Sequence, residues 1–174
     1  PAAKRESNAT RKNVALFELT PFAKFELKGK DACKELQVIC SNNISYIKGK
    51  TTYTQMLNKY GGIEADLSIT CLEEDKFLIT TGSAVRYHDK KWIEKNLNSY
   101  SEVKLNDVTE NFSVIGIMGP NSRSLLSSLS SENFETSHFP FGTGKYIFIE
   151  NIKIWAQRLS YVGELGWELF IPTK

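Results

Sequence analysis

The stretch TTYTQMLNKYGGIEADLSIT, residues 51–70, contains two strand-like runs separated by a pair of glycines. The first run is rich in Thr and Tyr, which favour strands, and the second alternates apolar and polar residues. Gly61 and Gly62 are typical of a tight turn, so the stretch predicts a β-hairpin. On the second strand Glu64 and Asp66 would share one face, because strand side chains alternate with a period of two. Composition alone favours a solvated face for both carboxylates.

The composition limits the class of protein. The chain has 174 residues, of which 41% are hydrophobic and 24% charged, as is ordinary for one substantial globular domain. No apolar run approaches the roughly 20 residues that a membrane span needs, so we predict no membrane association. The three cysteines form no CxxC pair, and we predict neither a disulfide nor a metal site. We therefore expect a reducing compartment, either the cytoplasm or, in a eukaryote, the mitochondrial matrix.

Charge is concentrated at the start of the chain. The net charge is +2, and the first thirteen residues carry four basic residues and one glutamate, a net +3, so the remainder is about −1. A nucleic-acid interface needs a dense basic patch on the folded part, and none is visible, so we predict no nucleic-acid partner. We interpret residues 1–13 as a basic linker or frayed segment and residues 14–174 as the folded part.

Strand-like and helical segments are mixed along this folded part. Alternation and helical spacing predict strands at 14–20, 22–29, 50–58, 63–73 and 77–82, helices at 30–40 and 83–97, two short strands within 103–119, a weak helix after 120 and the last strands within 145–172. Many strands follow one another through hairpins, which favours an α+β fold with largely antiparallel sheets and helices. The order alone suggests two similar βαβ-rich halves, although we find no repeat at the level of residues.

Several common catalytic motifs are missing. The GTGK stretch at 142–145 lacks the full spacing of a phosphate-binding loop, and no GxGxxG follows a strand. His88 is expected on the solvated face of a helix, and His138 lies in a loop. No motif gives either histidine a carboxylate or a nucleophile as partner, so a histidine-based triad is not predicted.

A second carboxylate lies in SYVGELGWELF, residues 160–170. Tyr161 precedes a glycine-rich turn, and Glu168 follows it in the next strand, between Trp167 and Leu169. A carboxylate beside a tryptophan is placed where its pKa would rise or where a flat ligand could be held. Composition alone favours a polar residue at a strand edge.

Six stretches together resemble a known family. In chain order they are VALFELTPFAKFELKGKDA, TYTQMLNKYGGIEADLSIT, FLITTG, VIGIMGPNSRSLL, FPFGTG and SYVGELGWELFIPTK. They are similar to the folate-binding domain shared by the aminomethyltransferase (T-protein) of the glycine cleavage system and the C-terminal halves of dimethylglycine and sarcosine dehydrogenases. The resemblance extends over nearly the whole chain from about Val14. The forms GGIEADL and SYVGELGWELF resemble the dehydrogenases more than the stand-alone T-protein.

The resemblance implies a role for five residues. Asp66 would be the catalytic residue, beside N10 of tetrahydrofolate and the one-carbon unit. Ser68, where the family commonly has Thr, and Tyr161 would contact the cofactor. Glu168 would accept two hydrogen bonds from the amino-pyrimidinone edge of the pterin, and Tyr53 would form part of the pocket wall, with strand packing as the alternative. We expect Asp66 to line a cavity and Glu64 to lie nearer its rim or in solvent.

The resemblance also implies a reaction. Tetrahydrofolate would capture a carbon from a methylamine as 5,10-methylenetetrahydrofolate, and Asp66 would take or give a proton. FAD would belong to a separate domain of the parent protein, which we expect to be an enzyme. Three alternatives stay open: a stand-alone aminomethyltransferase, a sulfonium demethylase of the same fold, and a non-catalytic folate-binding or scaffold fragment without turnover.

Overall fold

The computed structural model describes all of residues 1–174, which form two compact units. Unit 1 contains Pro1–Thr20 and Glu110–Lys174, and unit 2 contains Pro21–Thr109. In chain order, the helices and strands are α1 (Ala2–Lys12), β1 (Ala15–Glu18), β2 (Ala23–Lys28), α2 (Ala32–Ile39), β3 (Thr51–Leu57), β4 (Ile63–Glu73), β5 (Lys76–Thr81), α3 (Arg86–Asn96), β6 (Lys104–Asp107), β7 (Phe112–Met118), α4 (Ser122–Leu129), β8 (Gly144–Ile149), β9 (Ile152–Gln157) and β10 (Gly166–Pro172). This architecture confirms the predicted α+β fold with antiparallel sheets.

Unit 2 is built on a five-stranded antiparallel sheet with strand order β3-β4-β5-β2-β6. The predicted hairpin is present as β3 and β4, whose register places Gln55 opposite Asp66. From Ala65 onward the alternating apolar residues of β4 face the core, as predicted, whereas Ile63 at its start is exposed. Leu67 and Ile69 are buried there together with Phe25 of β2.

Unit 1 is built on a second five-stranded antiparallel sheet, with strand order β8-β9-β10-β7-β1. Its core includes Trp167 of β10 and Leu126 of helix α4. The Trp167 ring makes edge contacts with Phe134 and Phe139, at centroid distances of 5.7 and 6.0 Å. These aromatic contacts hold the loop before β8 against the sheet.

The two sheets have the same topology. If β7, β8, β9 and β10 are matched to β2, β3, β4 and β5, the strand orders coincide, and β1 takes the place of β6. Helix α2 follows β2 as α4 follows β7, and both helices have eight residues. The two similar halves suggested by element order are therefore present, although the fifth strand comes last in one unit and first in the other.

The structure also shows a repeat that the sequence analysis missed. GKDACKEL at 29–36 matches GPNSRSLL at 119–126 in position, with a glycine before the helix and a buried leucine seven residues later. Gly29 has φ +144° and Gly119 has φ +134°, a region that favours glycine. A Cβ would lie 1.9 Å from the Glu102 carbonyl oxygen at Gly29 and 2.4 Å from the Asn13 carbonyl oxygen at Gly119. Both turns therefore require glycine for the same reason.

The opening residues are helical. We expected a linker or a frayed segment at residues 1–13, and the structure has α1 over Ala2–Lys12, so the expectation of fraying is wrong. Its alanines and charged residues are good helix formers, and Arg11 and Lys12 lie in the last turn, where cations interact favourably with the helix dipole. None of the four helices is long and apolar enough to cross a membrane.

Candidate functional site

Asp66 has two polar neighbours on the adjacent strand of unit 2. The amide nitrogen Nε2 of Gln55 donates to Oδ1 of Asp66 at 3.4 Å. The hydroxyl of Tyr53 also bonds with the Asp66 carboxylate, and this hydrogen bond is the main reason that the pKa of Tyr53 is raised. Gln55 and Tyr53 can therefore orient the carboxylate of Asp66.

The relative exposure of Glu64 and Asp66 is the reverse of what we expected. Asp66 is exposed, whereas the Glu64 side chain keeps 24% of its accessible surface. Glu64 is covered because Asn58 Nδ2 donates to its Oε1 at 2.8 Å and His88 Nε2 lies 3.5 Å from its Oε2. That Asp66 lines a ligand cavity and acts as the catalytic residue both stay predictions.

Ser68 lies on the same face of β4 as Asp66, two residues further along the strand. It is buried, at 5% exposure, and lies directly opposite Tyr53 on β3. Tyr53 is 56% exposed. The structure thus brings Tyr53, Asp66 and Ser68 together on one face of the hairpin.

Glu168 lies in unit 1, on the middle of β10, and is 4% exposed. Gln157 of β9 donates from Nε2 to Oε2 of Glu168 at 2.7 Å. Burial raises the pKa of Glu168, and the hydrogen bond from Gln157 acts in the opposite direction. We expected a raised pKa because of Trp167, but successive strand residues face opposite sides, and the Trp167 ring packs on Phe134 and Phe139 instead.

Tyr161 lies in the loop between β9 and β10, also in unit 1, and is 62% exposed. The loop is fastened to α1, because Arg11 Nη1 donates to the Val162 carbonyl oxygen and pairs with Glu164 Oε1 at 2.9 Å. The sequence analysis missed this role of Arg11, because the partners are separated by 151 and 153 residues.

His88 has carboxylate partners that no motif indicated. Its Nδ1 lies 3.0 Å from Oδ1 of Asp89, which is completely buried. The Thr81 hydroxyl donates to Oδ2 of Asp89 at 2.6 Å, and Glu64 lies on the other side of the imidazole. The His88 side chain is 54% exposed, in agreement with the solvated position expected for it, and the carboxylate neighbours are an addition from the structure. The adjacent His-Asp pair was the only sequence signal, since Glu64 lies on a different element.

Two further features bear on ligand binding. A recess of about 480 Å³ in unit 2 is lined by residues 57–60, Glu64, Trp92 and Lys95, and none of the five predicted site residues lines it. No group of three or more His, Cys, Asp or Glu side chains is arranged to hold a metal ion. Four of the five predicted site residues thus lie on strands and Tyr161 lies in a loop, and none lines this recess.

The two antiparallel sheets define the fold of an aminomethyltransferase-type domain. The solved structure of glycine cleavage system aminomethyltransferase T from Bartonella henselae superposes with a TM-score of 0.82 over 97% of this chain and 44% of that protein. The sequences are 21% identical, so this comparison shows the fold.

The sequence comparisons give the family. Residues 1–174 match the family model described as the GCVT N-terminal domain, and the chain belongs to this family. It is 35% identical over 166 residues to the human mitochondrial dimethylglycine dehydrogenase, covering 95% of this chain and 19% of that protein. It is 37% identical over 183 residues to the human mitochondrial sarcosine dehydrogenase, covering 97% of this chain and 20% of that protein. The resemblance based on the motifs is confirmed, and the chain spans about a fifth of these relatives.

Proposed function

We propose that this chain is a tetrahydrofolate-dependent one-carbon transfer domain that forms 5,10-methylenetetrahydrofolate within a protein of the dimethylglycine or sarcosine dehydrogenase type. Membership of the GCVT N-terminal domain family supports this proposal. Since the chain spans about a fifth of the two dehydrogenases, oxidation of a methylamine would belong to an FAD domain elsewhere in the parent protein. The whole protein would be the enzyme.

The buried carboxylate of Glu168 is the observation that carries the proposal. Gln157 occupies Oε2 with one hydrogen bond, and no hydrogen bond uses Oε1. Each carboxylate oxygen can accept two hydrogen bonds, so Glu168 keeps the capacity to accept two parallel N–H groups. The amino-pyrimidinone edge of a folate presents such a pair. Glu168 and Tyr161 of unit 1 therefore fit the pterin edge of the cofactor as binding residues. Ser68 and Tyr53, which belong to unit 2, stay predicted binding residues on the strength of the family resemblance.

Asp66 would perform the proton transfer. When bound, tetrahydrofolate supplies the nitrogen atoms that accept the carbon. The Asp66 carboxylate is accessible, is oriented by Gln55 and Tyr53, and can stabilise positive charge beside it. A carboxylate in this position can accept a proton from an amine and return it to a leaving group. The domain would otherwise act by holding its reactants in place.

Calorimetric titration of the full-length protein with 5-formyltetrahydrofolate tests the binding site. We expect Glu168→Ala to weaken binding at least about tenfold, since hydrogen bonds to a charged group contribute about 1.5–3 kcal/mol. Asp66→Asn should retain affinity and lower the rate of methylenetetrahydrofolate formation by about 10²-fold or more. A protein that binds no folate, or variants that behave as the unaltered protein does, would contradict the proposal. Intact binding without methylenetetrahydrofolate formation would indicate a non-catalytic module.

The parent context gives two further proposals. The two named relatives are mitochondrial, so in a eukaryote we place the protein in the mitochondrial matrix, and otherwise in the cytoplasm. We assign residues 14–174 to part of the folate-binding domain and residues 1–13 to a connecting segment that also anchors the Tyr161 loop through Arg11. Fractionation of cells that express the full-length protein checks the compartment.

A further inference from the structure

One row of residues crosses the whole sheet of unit 1 at Glu168. Its members, from β1 to β8, are Phe17, Gly116, Glu168, Gln157 and Gly144. Directly opposed residues of neighbouring strands face the same side of a sheet. Glu168 and Gln157 are therefore flanked on both sides by residues without a side chain.

Apolar groups occupy the space above the two glycines. A Cβ on Gly144 would lie 2.6 Å from Cζ2 of Trp155, so the indole lies against this glycine. A Cβ on Gly116 would lie 3.0 Å from Cε of Met118 and 3.1 Å from Cδ1 of Leu19. The carboxylate–amide pair thus lies between an aromatic wall and an aliphatic wall. In such a dry environment a hydrogen bond is stronger, and a polar group without a partner is more costly.

Gln157 is the polar partner of Glu168 in this row. Its side chain is fully buried and its N–H group meets Oε2 at 2.7 Å. Burial alone favours the neutral acid, whereas a donated hydrogen bond favours the carboxylate, and both effects act on the pKa of Glu168. The equivalent positions in unit 2 are Leu78 and Thr70, opposed in the same way. The fold therefore does not require a carboxylate at this place.

We propose that Gln157 is the positioning residue of the folate site, which holds Oε2 of Glu168 and so orients both carboxylate oxygens toward the N–H groups of the pterin edge. This inference rests on the proposed folate-binding function. Gln157 acts through Glu168 and touches no reacting atom. Its amide N–H group favours the form of the buried carboxyl group that only accepts hydrogen bonds, and this form suits ligands that present two N–H donors.

The proposal predicts how folate affinity depends on pH. Folate binding requires ionised Glu168, so affinity falls as pH drops through the pKa of this group. Without the Gln157 N–H group the carboxylate loses its stabilising donor, and this fall begins at a higher pH. Gln157→Met keeps a side chain of similar length and volume without the donor, which limits the disturbance of the core.

The experiment is a series of calorimetric titrations of the full-length protein with 5-formyltetrahydrofolate between about pH 5.5 and 8.5. We expect Gln157→Met to bind about tenfold more weakly at neutral pH and to recover affinity as pH rises. Gln157→Met in a Glu168→Gln background is the matched control, in which the pH-dependent difference should vanish. Urea unfolding of each variant without ligand verifies that it folds.

Each outcome bears on a separate claim. A loss of affinity that is the same at every pH, or the same in the Glu168→Gln background, would show a packing role and overturn the assignment of Gln157. An unchanged profile in Gln157→Met would overturn it as well. If the unaltered protein bound no folate, the proposed function itself would fail.

Discussion

Units 1 and 2 have the same strand order and differ at the centre of their sheets. Where unit 2 places Leu78 opposite Thr70, unit 1 places Glu168 opposite Gln157. Burying a carboxylate is unfavourable, and the leucine of unit 2 shows that the same topology forms without one. The topology therefore does not require a carboxylate here, which makes Glu168 a candidate functional residue.

The shared features teach the complementary lesson. Both units have a glycine of positive φ before the first helix and a fully buried leucine seven residues later. Neither Gly29 nor Gly119 is near a predicted site residue in the sequence. Features present in both units therefore serve the topology, and features present in only one are candidates for function.

The largest expected effect tests the shared glycines. Gly29→Ala and Gly119→Ala should each lower the free energy of unfolding by about 3 kcal/mol or more, because the new Cβ would overlap a carbonyl oxygen. Gly61→Ala is the control, since Gly61 also has positive φ but nothing lies within 4 Å of its Cβ position, and we expect about 1 kcal/mol there. Urea unfolding measures all three. Equal losses of stability at the three glycines would contradict the inference that the turns at Gly29 and Gly119 require glycine because of a close carbonyl oxygen.

The next largest effect is expected when the residue pair at the centre of the unit 1 sheet is replaced by the pair of unit 2. Glu168→Leu with Gln157→Thr gives unit 1 the pair found in unit 2. We expect folate affinity to fall at least about 100-fold, because two hydrogen bonds to a buried charge are lost. Calorimetry measures the affinity, and Leu78→Met in unit 2 is the control that should leave it unchanged.

The same exchange should lower folate affinity but raise the free energy of unfolding at neutral pH. Because the pKa of Glu168 is raised on folding, its contribution to stability is fully present below its ordinary value of 4.5 and is lost as pH rises through the folded pKa. The exchanged protein should therefore be more stable than the unaltered one at neutral pH, with the advantage shrinking toward acid pH. Urea unfolding at several pH values checks the sign, and a variant that is less stable at neutral pH would contradict it.

A smaller effect concerns α3, which follows β5 in unit 2 and precedes β6. Asp89→Ala should cost about 2 kcal/mol of unfolding free energy, because it leaves the buried Thr81 hydroxyl without this acceptor. His88→Ala should cost less than about 1 kcal/mol, since the imidazole is 54% exposed. Thermal unfolding of both variants compares them. The reverse order would show that the histidine, rather than the aspartate, anchors the helix.

The smallest effect on stability concerns α1 of unit 1. Arg11→Ala should lower the unfolding free energy by less than about 1 kcal/mol, because the ion pair with Glu164 is largely exposed. It should nevertheless weaken folate binding several-fold by loosening the Tyr161 loop. Lys12→Ala, also exposed and at the same helix end, is the control. Equal folate affinities of the two variants would show that Arg11 does not contribute to folate binding.

The fold was predictable where local signals are strong. The β3–β4 hairpin follows from alternation and the Gly61-Gly62 turn, and the α+β class follows from the order of the elements. The repeat was missed because its signal is a glycine and a leucine, too few residues to stand out in a single sequence. Helix α1 was missed because its composition is also typical of a solvated segment.

The site was predictable only in part. Composition alone favoured an ordinary polar position for both Asp66 and Glu168, and the family resemblance gave them their predicted roles. The partner Gln157 and the loop anchor Arg11 could not be found in this way, since they depend on register and on contacts between distant segments. The exposure of Asp66 relative to Glu64 could not be predicted, because alternation gives the face of a residue but not what covers that face.

The division of unit 1 into two chain segments has a consequence for biosynthesis. On the ribosome, all of unit 2 is complete before the first residue of β7 emerges, so unit 2 can fold while the chain is still growing. Strand β1 is made first but pairs with β7 and must wait, with Leu16 and Phe17 unpaired, until Met118 has been made. The early strand is therefore the segment that a chaperone would need to shield.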